Sequence, residues 1–204
     1  DEKADPTRHT DPGTTFDDHL RRYVNETRAK GGIPVLFNSI VRRNFVQPKD
    51  TSISKDVRRT PGESEPPKEG TVLFDTHGAY LDSPRNVAKE LRVAFIDMNK
   101  ITHDLVEGLG PVESKKLFMF VEPDQVPAFP KGREDNTHLN VYGARVIAGL
   151  AVEAIGKAVP ELAPYIRHYD YVVAQDGSGD FFTVQEAINA VPDFRKNIRT
   201  TILI

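Results

Sequence analysis

Apolar and polar residues alternate along the chain in blocks that predict helices and strands in turn. Residues 16–29 are predicted to form a helix, capped by Thr15 and ended by Gly31. Its apolar side chains recur at helical spacing: Phe16, Leu20, Tyr23 and Val24. The nearly continuous apolar run over residues 33–41 then has the composition of a buried parallel strand.

The same order recurs further along the chain. A helix is predicted from Ser83 to about Leu91, with Ser83 as its cap, and the apolar run over residues 93–98 predicts a second buried strand. Another helix follows over residues 101–109, capped by Asn99. Strands that alternate with helices predict parallel β/α units, and hence an α/β fold with a doubly wound sheet.

One long segment interrupts this order. Residues 42–70 are charged, poor in apolar side chains and broken by prolines, which predicts a long loop. Its arginines either belong to a solvated charged face, which the composition favours, or grip the carboxylates of an acidic polysaccharide. The arginines concerned are Arg42, Arg43, Arg58 and Arg59.

The polar segment before the last predicted helix contains an Asp three residues ahead of a His, Asp135 and His138. We expect this segment to be a turn, followed by a helix over residues 140–158 that is rich in Gly and Ala. A carboxylate at this spacing can accept a hydrogen bond from one imidazole nitrogen, which leaves the other to take a proton from a hydroxyl nucleophile. In isolation the pattern is more often a surface turn that caps a helix, so the surrounding residues decide between the two interpretations.

Three stretches around this pair resemble one known family, and they occur in that family's order. They are FDDHLRRYVNETRAKGGIPVLFNSIVRRNF from Phe16, DTHGAYLDSPRNVAKELRVAFIDMNKITHDLVEGLGPVESKKLFM from Asp75, and EDNTHLNVYGA from Glu134. Over about residues 1–160 the chain resembles SGNH/GDSL hydrolases, and specifically rhamnogalacturonan acetylesterases. The resemblance implies a flavodoxin-like doubly wound parallel sheet and the removal of acetyl groups from pectin by a Ser-His-Asp mechanism.

The resemblance also assigns roles to individual residues. It implies that His138 acts as general base and then as general acid, while Asp135 holds its tautomer and stabilises the imidazolium. The family's nucleophile stands in a Gly-Asp-Ser block, but none of the seven serines does so here, and Ser39 lacks the glycine-flanked elbow of a nucleophile. Asp1 matches the end of the family's Gly-x-Asn-Asp block, whose Asn would precede it. We therefore expect residues 1–204 alone to lack the N-terminal strands of the sheet and to be catalytically inactive.

A segment with a different pattern of predicted elements follows a predicted linker over residues 161–168. Residues 169–204 contain a short strand over residues 172–174, a glycine turn, and the capping box of a short helix formed by Thr183 and Glu186. This segment resembles the opening of the pectin methylesterase (pectinesterase) family, which implies the first strand and helix of a right-handed parallel β-helix. That family's catalytic residues lie further downstream, so none is assigned here.

Composition disfavours several classes of function. The net charge of −3 offers no basic surface for nucleic acid, no run of about 18 apolar residues would cross a membrane, and the opening DEKADPTRHT lacks the apolar region of a signal peptide. With no cysteine there is no disulfide or zinc-thiolate site, and we expect neither a cofactor nor a metal. His9, His19 and His168 lack acidic partners at a useful spacing. His77 and His103 are interpreted as surface or packing residues.

The expected partner is therefore pectic polysaccharide that carries acetyl and methyl esters, and the resemblance places the protein outside the cell or in the periplasm. Two other functions stay open: a non-catalytic carbohydrate-binding or spacer module, and an SGNH lipase or acylhydrolase that acts on another ester. The aromatic content of 8% and the absence of Trp disfavour a sugar-binding platform. The lack of an apolar lid disfavours a lipid substrate.

Overall fold

The computed structural model describes most of the chain in five stretches: residues 9–47, 58–59 (backbone alone), 70–166, 169–191 and 199–204. Most of the predicted loop over residues 42–70 lies outside them, as do Asp1 and His168. The structure divides into two units, Asp1–Pro160 and Glu161–Ile204. The described residues form a mixed α/β structure with small parallel sheets, consistent with an SGNH-like α/β fold.

Helices and strands of the first unit follow one another along the described chain. In order they are α1 (Thr15–Ala29), β1 (Val35–Phe37), β2 (Phe45–Val46), β3 (Arg58–Arg59), β4 (Val72–Leu73), α2 (Asp82–Leu91), β5 (Ala94–Ile96), α3 (Met98–Glu113), β6 (Phe118–Val121), β7 (Arg133–Leu139) and α4 (Val141–Ala158). Short 3₁₀ turns at Gly78–Leu81 and Ser114–Leu117 lead into α2 and β6. The predicted alternation of strands and helices is therefore present.

Strands β1 and β5 form a parallel pair, with Val35 opposite Ala94 and Phe37 opposite Ile96. Two parallel neighbours need a long crossover connection, and α2 lies within this one. The apolar face of α2 is buried through Val87, as its predicted helical spacing requires. This β/α arrangement brings the carboxyl ends of β1 and β5 to the same edge of their sheet.

Both strands are shorter than the predicted ranges 33–41 and 93–98. β1 ends where Asn38 turns its side chain towards the end of β5. Its Nδ2 donates to Oδ1 of Asp97 (2.7 Å), and its Oδ1 accepts from the N–H of Asn99 (2.9 Å). Asp97 also accepts from a backbone N–H in the first turn of α3, so the predicted cap at Asn99 is wrong. Hydrogen bonds between polar groups at the ends of β1 and β5 thus take the place of further pairing between the two strands.

Two other predicted helix caps are also wrong. Thr14 rather than Thr15 precedes α1, and its side chain makes no capping hydrogen bond. Helix α2 continues directly from the 3₁₀ turn Gly78–Leu81, and Ser83 is buried inside its first turn. A turn that runs into a helix supplies acceptors for the first N–H groups, so no side-chain cap is needed there.

The first unit also contains antiparallel sheets, which the alternation of strands and helices did not predict. β6 and β7 are joined by a loop over residues 122–132 and pair antiparallel, β3 pairs with the other edge of β7, and β2 pairs with β4. A connection of this kind favours an antiparallel hairpin over a parallel crossover. The segment 133–139, predicted as a turn, is strand β7 in the structure.

The packing of α4 depends on one glycine. Asn140 caps the helix by accepting from the N–H of Gly143 (2.8 Å). A Cβ built on Gly143 would lie 1.9 Å from the carbonyl oxygen of Leu117, so no side chain fits at this position. Gly143 therefore lets the start of α4 approach the backbone of Leu117 closely. Two buried clusters flank this contact, and their buried members are Val41, Leu73, Val106, Leu117 and Phe118 in one and Ile96, Met98 and Ile147 in the other.

The second unit contains β8 (Tyr171–Val172), α5 (Val184–Asn189) and β9 (Ile202–Leu203). β8 and β9 pair in parallel, and the predicted capping box is confirmed, because Thr183 and Glu186 exchange side-chain and backbone hydrogen bonds. Ala187 is fully buried on the predicted apolar face of α5, whereas Ile188 is 50% exposed.

The predicted linker over residues 161–168 is only partly described, and its first residues belong to the 3₁₀ segment Pro160–Tyr165. Within the described stretches, none of the helices combines the length and apolar character that crossing a membrane requires.

Candidate active site

The Asp135–His138 pair lies in a bulge of strand β7. Phe118 is opposite Leu139, yet its neighbour Met119 is opposite Asp135, so the three residues between Asp135 and Leu139 have no partners in β6. The carboxylate of Asp135 holds this bulge together: its Oδ1 accepts from the N–H groups of Thr137 and His138, each at 2.9 Å. The predicted turn is therefore a local turn inside a strand, and the Asp side chain supplies its hydrogen bonds.

The same carboxylate reaches the imidazole. Oδ2 of Asp135 lies 2.9 Å from Nδ1 of His138. Because an ionised carboxylate only accepts hydrogen bonds, this contact fixes the proton on Nδ1 and leaves the lone pair on Nε2. The side chain of His138 is 46% exposed, whereas that of Asp135 is fully buried. The pair thus combines a buried anion with a ring that solvent or a ligand can reach.

Asp135 is ionised in this setting. Burial alone would raise its pKa, but hydrogen bonds from the backbone of His138 and Thr137, from the guanidinium of Arg133 and from the imidazole outweigh burial and hold the pKa below its ordinary value. Nη2 of Arg133 approaches Oδ2 at 2.6 Å. An anion held in this way keeps the imidazole in one tautomer and stabilises it when it takes up a proton.

Arg43 joins the bulge to the end of α3. Its backbone N–H and its Nη1 donate to the carbonyl and side-chain oxygens of Asn136 (2.8 and 2.5 Å), Nε donates to Oγ of Ser114 (2.9 Å), and Nη2 donates to the carbonyl of Pro111. Burial lowers the pKa of Arg43 to about 10, against an opposing effect of the Glu134 carboxylate. Arg43 was predicted to lie in a solvated charged loop, but it is 4% exposed and buried beneath the site.

A second Asp–His pair lies in the same unit, and the sequence analysis missed it. Nδ1 of His77 is 2.8 Å from Oδ1 of Asp75, which also accepts the N–H of His77 (2.7 Å), while Asn99 donates to Oδ2 (2.5 Å). Burial would raise the pKa of Asp75, but the bonds from His77 and Asn99 outweigh it and lower the pKa to about 2. The interpretation of His77 as a surface or packing residue is therefore incomplete. The spacing Asp-x-His in the sequence was the signal that could have predicted this pair.

His77 lines a cavity of about 440 Å³ next to the end of β1. Polar and aromatic side chains share its wall: Phe16, Phe37, Asn38, Ser39, Arg42, Thr76, His77 and Tyr80. Ser39 is exposed there. His138 lines neither this cavity nor a smaller one bordered by Lys115, Glu122 and Glu134. Neither of these two cavities therefore includes the Asp135–His138 pair.

Two of the other histidines, His9 and His103, each lie near a single carboxylate. Nε2 of His9 lies 2.9 Å from Oδ1 of Asp11, so the prediction that His9 lacks an acidic partner is wrong. His103 approaches Glu107 at 3.7 Å on the surface of α3. Across the described residues, no three His, Asp or Glu side chains come together as ligands for a metal ion.

No model of a known protein family matches the chain. Over 170 residues the chain is 34% identical to rhamnogalacturonan acetylesterase RhgT of Bacillus subtilis strain 168, covering 83% of the chain and 61% of that relative. The chain is thus similar to rhamnogalacturonan acetylesterases over most of its length. A probable rhamnogalacturonan acetylesterase of the same strain, YesY, is 24% identical over 153 residues, which cover 75% of the chain and 56% of the relative.

The chain spans about three-fifths of the length of these curated acetylesterases. The homology supports the resemblance stated for residues 1–160. The catalytic roles of Asp135 and His138 stay predictions, as does the resemblance of residues 169–204 to pectin methylesterases.

Proposed function

We propose that this protein is a carbohydrate esterase that removes acetyl groups from rhamnogalacturonan, with Asp135 and His138 as the acid–base part of a Ser-His-Asp site. One observation carries the proposal: an ionised, fully buried carboxylate lies 2.9 Å from Nδ1 of a solvent-accessible imidazole. Homology to two acetylesterases over most of the chain supports the substrate class. The proposed fold is the flavodoxin-like doubly wound sheet, of which β1 and β5 are two parallel strands.

The proposed reaction proceeds through an acetyl-enzyme. A serine oxygen attacks the acetyl carbonyl while Nε2 of His138 takes the serine proton, and the imidazolium then gives that proton to the departing sugar oxygen. Water attacks the acetyl-serine in the second half, His138 again accepts a proton, and its return to the serine releases acetate. Asp135 stays ionised throughout and stabilises the imidazolium in each half-reaction.

The nucleophile is proposed to lie in a part of the protein outside residues 1–204. None of the seven serines of these residues stands in a Gly-Asp-Ser block. The alternative nucleophile within the chain, Ser39, lines the cavity with His77 rather than a cavity with His138. We accordingly expect residues 1–204 alone to give no hydrolysis of p-nitrophenyl acetate above the uncatalysed rate.

The segment over residues 169–204 is proposed to open a pectin methylesterase domain with a parallel β-helix. Its support is the sequence resemblance, together with the parallel β8–β9 pair and the capped helix α5. The whole protein would then remove both acetyl and methyl esters from pectic polysaccharide, and we propose that it does so outside the cell or in the periplasm.

The test measures acetate and methanol released by the full-length gene product from acetylated, methylated pectin and from chemically de-esterified pectin as the control. The proposal predicts release of both products from the esterified polymer alone. Release of fatty acid from lipid esters, without release of acetate from the polymer, would contradict the substrate class. Methanol release without acetate would contradict the acetylesterase assignment.

A further inference from the structure

The cavity near the end of β1 has an unusual distribution of charge. Of the described residues that line it, Arg42 alone carries a permanent charge, and none has a carboxylate side chain. Asp75, an ionised carboxylate two residues before His77, does not line the cavity, and its oxygens accept hydrogen bonds from His77 and Asn99. A cavity whose one fixed charge is positive favours an anionic ligand.

Arg42 has donors that the described residues do not fill. Its Nη1 donates to Oγ1 of Thr76 at 3.1 Å, and its Nε is buried without any acceptor in the described part of the chain. Nor does any described carboxylate lie within ion-pair distance of it. A guanidinium presents its N–H groups as a fork that matches the two oxygens of a carboxylate. The planar fork of Arg42 is therefore available to one carboxylate group.

The rest of the cavity suits a sugar ring better than a small anion. Phe16 and Tyr80 pack edge to face with ring centroids 5.3 Å apart, and Phe37 is 39% exposed beside them. Such aromatic surface accepts the C–H face of a pyranose, while Ser39 offers a hydroxyl for hydrogen bonding. The volume of about 440 Å³ lies within the range of small-molecule sites and exceeds what a bare carboxylate needs.

His77 adds a directed polar group to this wall. Its Nδ1 is held by Asp75, so its Nε2 is the nitrogen left for a ligand hydroxyl. The cavity is also tied to the Asp135–His138 bulge through the chain, because Arg43, the residue after Arg42, bonds Asn136 in that bulge. A polysaccharide bound through this cavity would be anchored by the same loop that supports the acid–base pair.

We propose that this cavity is a subsite for a uronic acid residue of the polysaccharide, with Arg42 gripping its carboxylate and the aromatic side chains carrying its ring. The inference rests on the proposed function for the polymer, but the ligand chemistry is argued from the cavity alone. The subsite binds the substrate chain away from the ester that is cleaved, so binding there requires neither the nucleophile nor His138.

Binding of monosaccharides tests this directly. Galacturonic acid carries a carboxylate where galactose carries a hydroxymethyl group. Each sugar is titrated into the full-length gene product at low ionic strength, with the heat of binding as the readout. We expect galacturonic acid to bind about tenfold more tightly than galactose, a preference that salt weakens. Acetate should bind about tenfold more weakly than galacturonic acid. Equal affinity of the two sugars, or equal affinity of acetate and galacturonic acid, would overturn the proposal without any variant.

Variants then locate the site. Arg42→Gln should remove the preference for galacturonic acid and leave galactose binding unchanged, whereas Arg22→Gln, at an exposed position of α1, should keep the preference. A preference that survives in Arg42→Gln would overturn the assignment. His138→Ala should bind galacturonic acid as the unaltered protein does. If the unaltered protein shows no preference for galacturonic acid but releases acetate in a His138-dependent way, this subsite is refuted and the esterase proposal stands.

Discussion

Asp75 is a carboxylate whose ionisation stabilises the fold. The bonds from His77 and Asn99 lower its pKa from an ordinary 3.8 to about 2. A lowered folded-state pKa contributes stability above the ordinary value, and that stability is lost as the pH falls through the folded-state value. The window for this loss therefore runs from about pH 4 down to about pH 2.

The change Asp75→Asn should lower the free energy of unfolding at pH 7 by about 2 kcal/mol. The difference from the unaltered protein should shrink by about half at pH 3, because the unfolded chain is by then largely protonated at this position. Urea unfolding at the two pH values measures it. Asp104→Asn, which removes an exposed partner of Lys100, should cost under about 0.5 kcal/mol at both. A difference that does not vary with pH would contradict the role given to Asp75.

Asp135 differs from Asp75 in that its predicted role is catalytic. In the full-length gene product, Asp135→Ala should lower kcat/KM for acetate release by about tens to thousands of fold, because the residue orients a base and does not itself transfer the proton. The effect should appear in kcat more than in KM. A loss smaller than about twofold would count against its place in a triad.

At the scale of elements, the bulge in β7 is supported from below by Arg43. Replacing Arg43 by Ala leaves oxygens of Asn136, Ser114 and Pro111 without their donor. We expect this change to cost about 2–4 kcal/mol of stability. Thermal unfolding measures the loss, with Arg22→Ala on exposed α1 expected within about 0.5 kcal/mol of the unaltered protein. Equal unfolding of the two variants would show that Arg43 does not hold the bulge.

The contact between α4 and the turn before β6 gives a sharper comparison. Gly143→Ala places a methyl group against the Leu117 carbonyl and should cost about 3 kcal/mol, since backbone must move. Gly149→Ala, in the same helix with open space around it, should add about 0.5–1 kcal/mol through helix propensity. Calorimetry of both variants checks the pair. A stabilising Gly143→Ala would refute the close approach of α4 to Leu117.

How far the sequence predicts these elements depends on whether the signal is local. The capping box of Thr183 and Glu186 and the cap at Asn140 are bonds between residues three positions apart, and local patterns predicted one as a cap and the other as a helix start. The end of β1 is different, because it depends on Asn38 meeting Asp97 about sixty residues away. No periodicity of apolar residues carries that information.

The same distinction holds for the candidate site. The Asp135–His138 pair is local, so the spacing found it, although the strand around it needed the distant partner β6. The role of Arg43 could not be predicted, since its contacts at Ser114 and Asn136 become neighbours only after folding. The Asp75–His77 pair is equally local, but its separation is two residues, which a search for an Asp three residues before a His does not find.

At the scale of the whole molecule, the chain divides into two units. It spans about three-fifths of the length of the acetylesterases to which it is similar. The acid–base pair, its supporting arginine and the Arg42 cavity all belong to the first unit. We therefore propose that residues 1–204 provide the base, its orienting anion and a subsite for the polymer. Another part of the protein provides the nucleophile.

The rate of acetate release from acetylated rhamnogalacturonan by the full-length gene product and its His138→Ala variant tests the central claim most directly. His103→Ala, which removes an exposed imidazole on α3, is the matched control. We expect His138→Ala to lower kcat/KM at least about a thousandfold, with unchanged folding by circular dichroism, and His103→Ala to retain the rate. Acetate release by His138→Ala within about twofold of the unaltered protein would contradict the account.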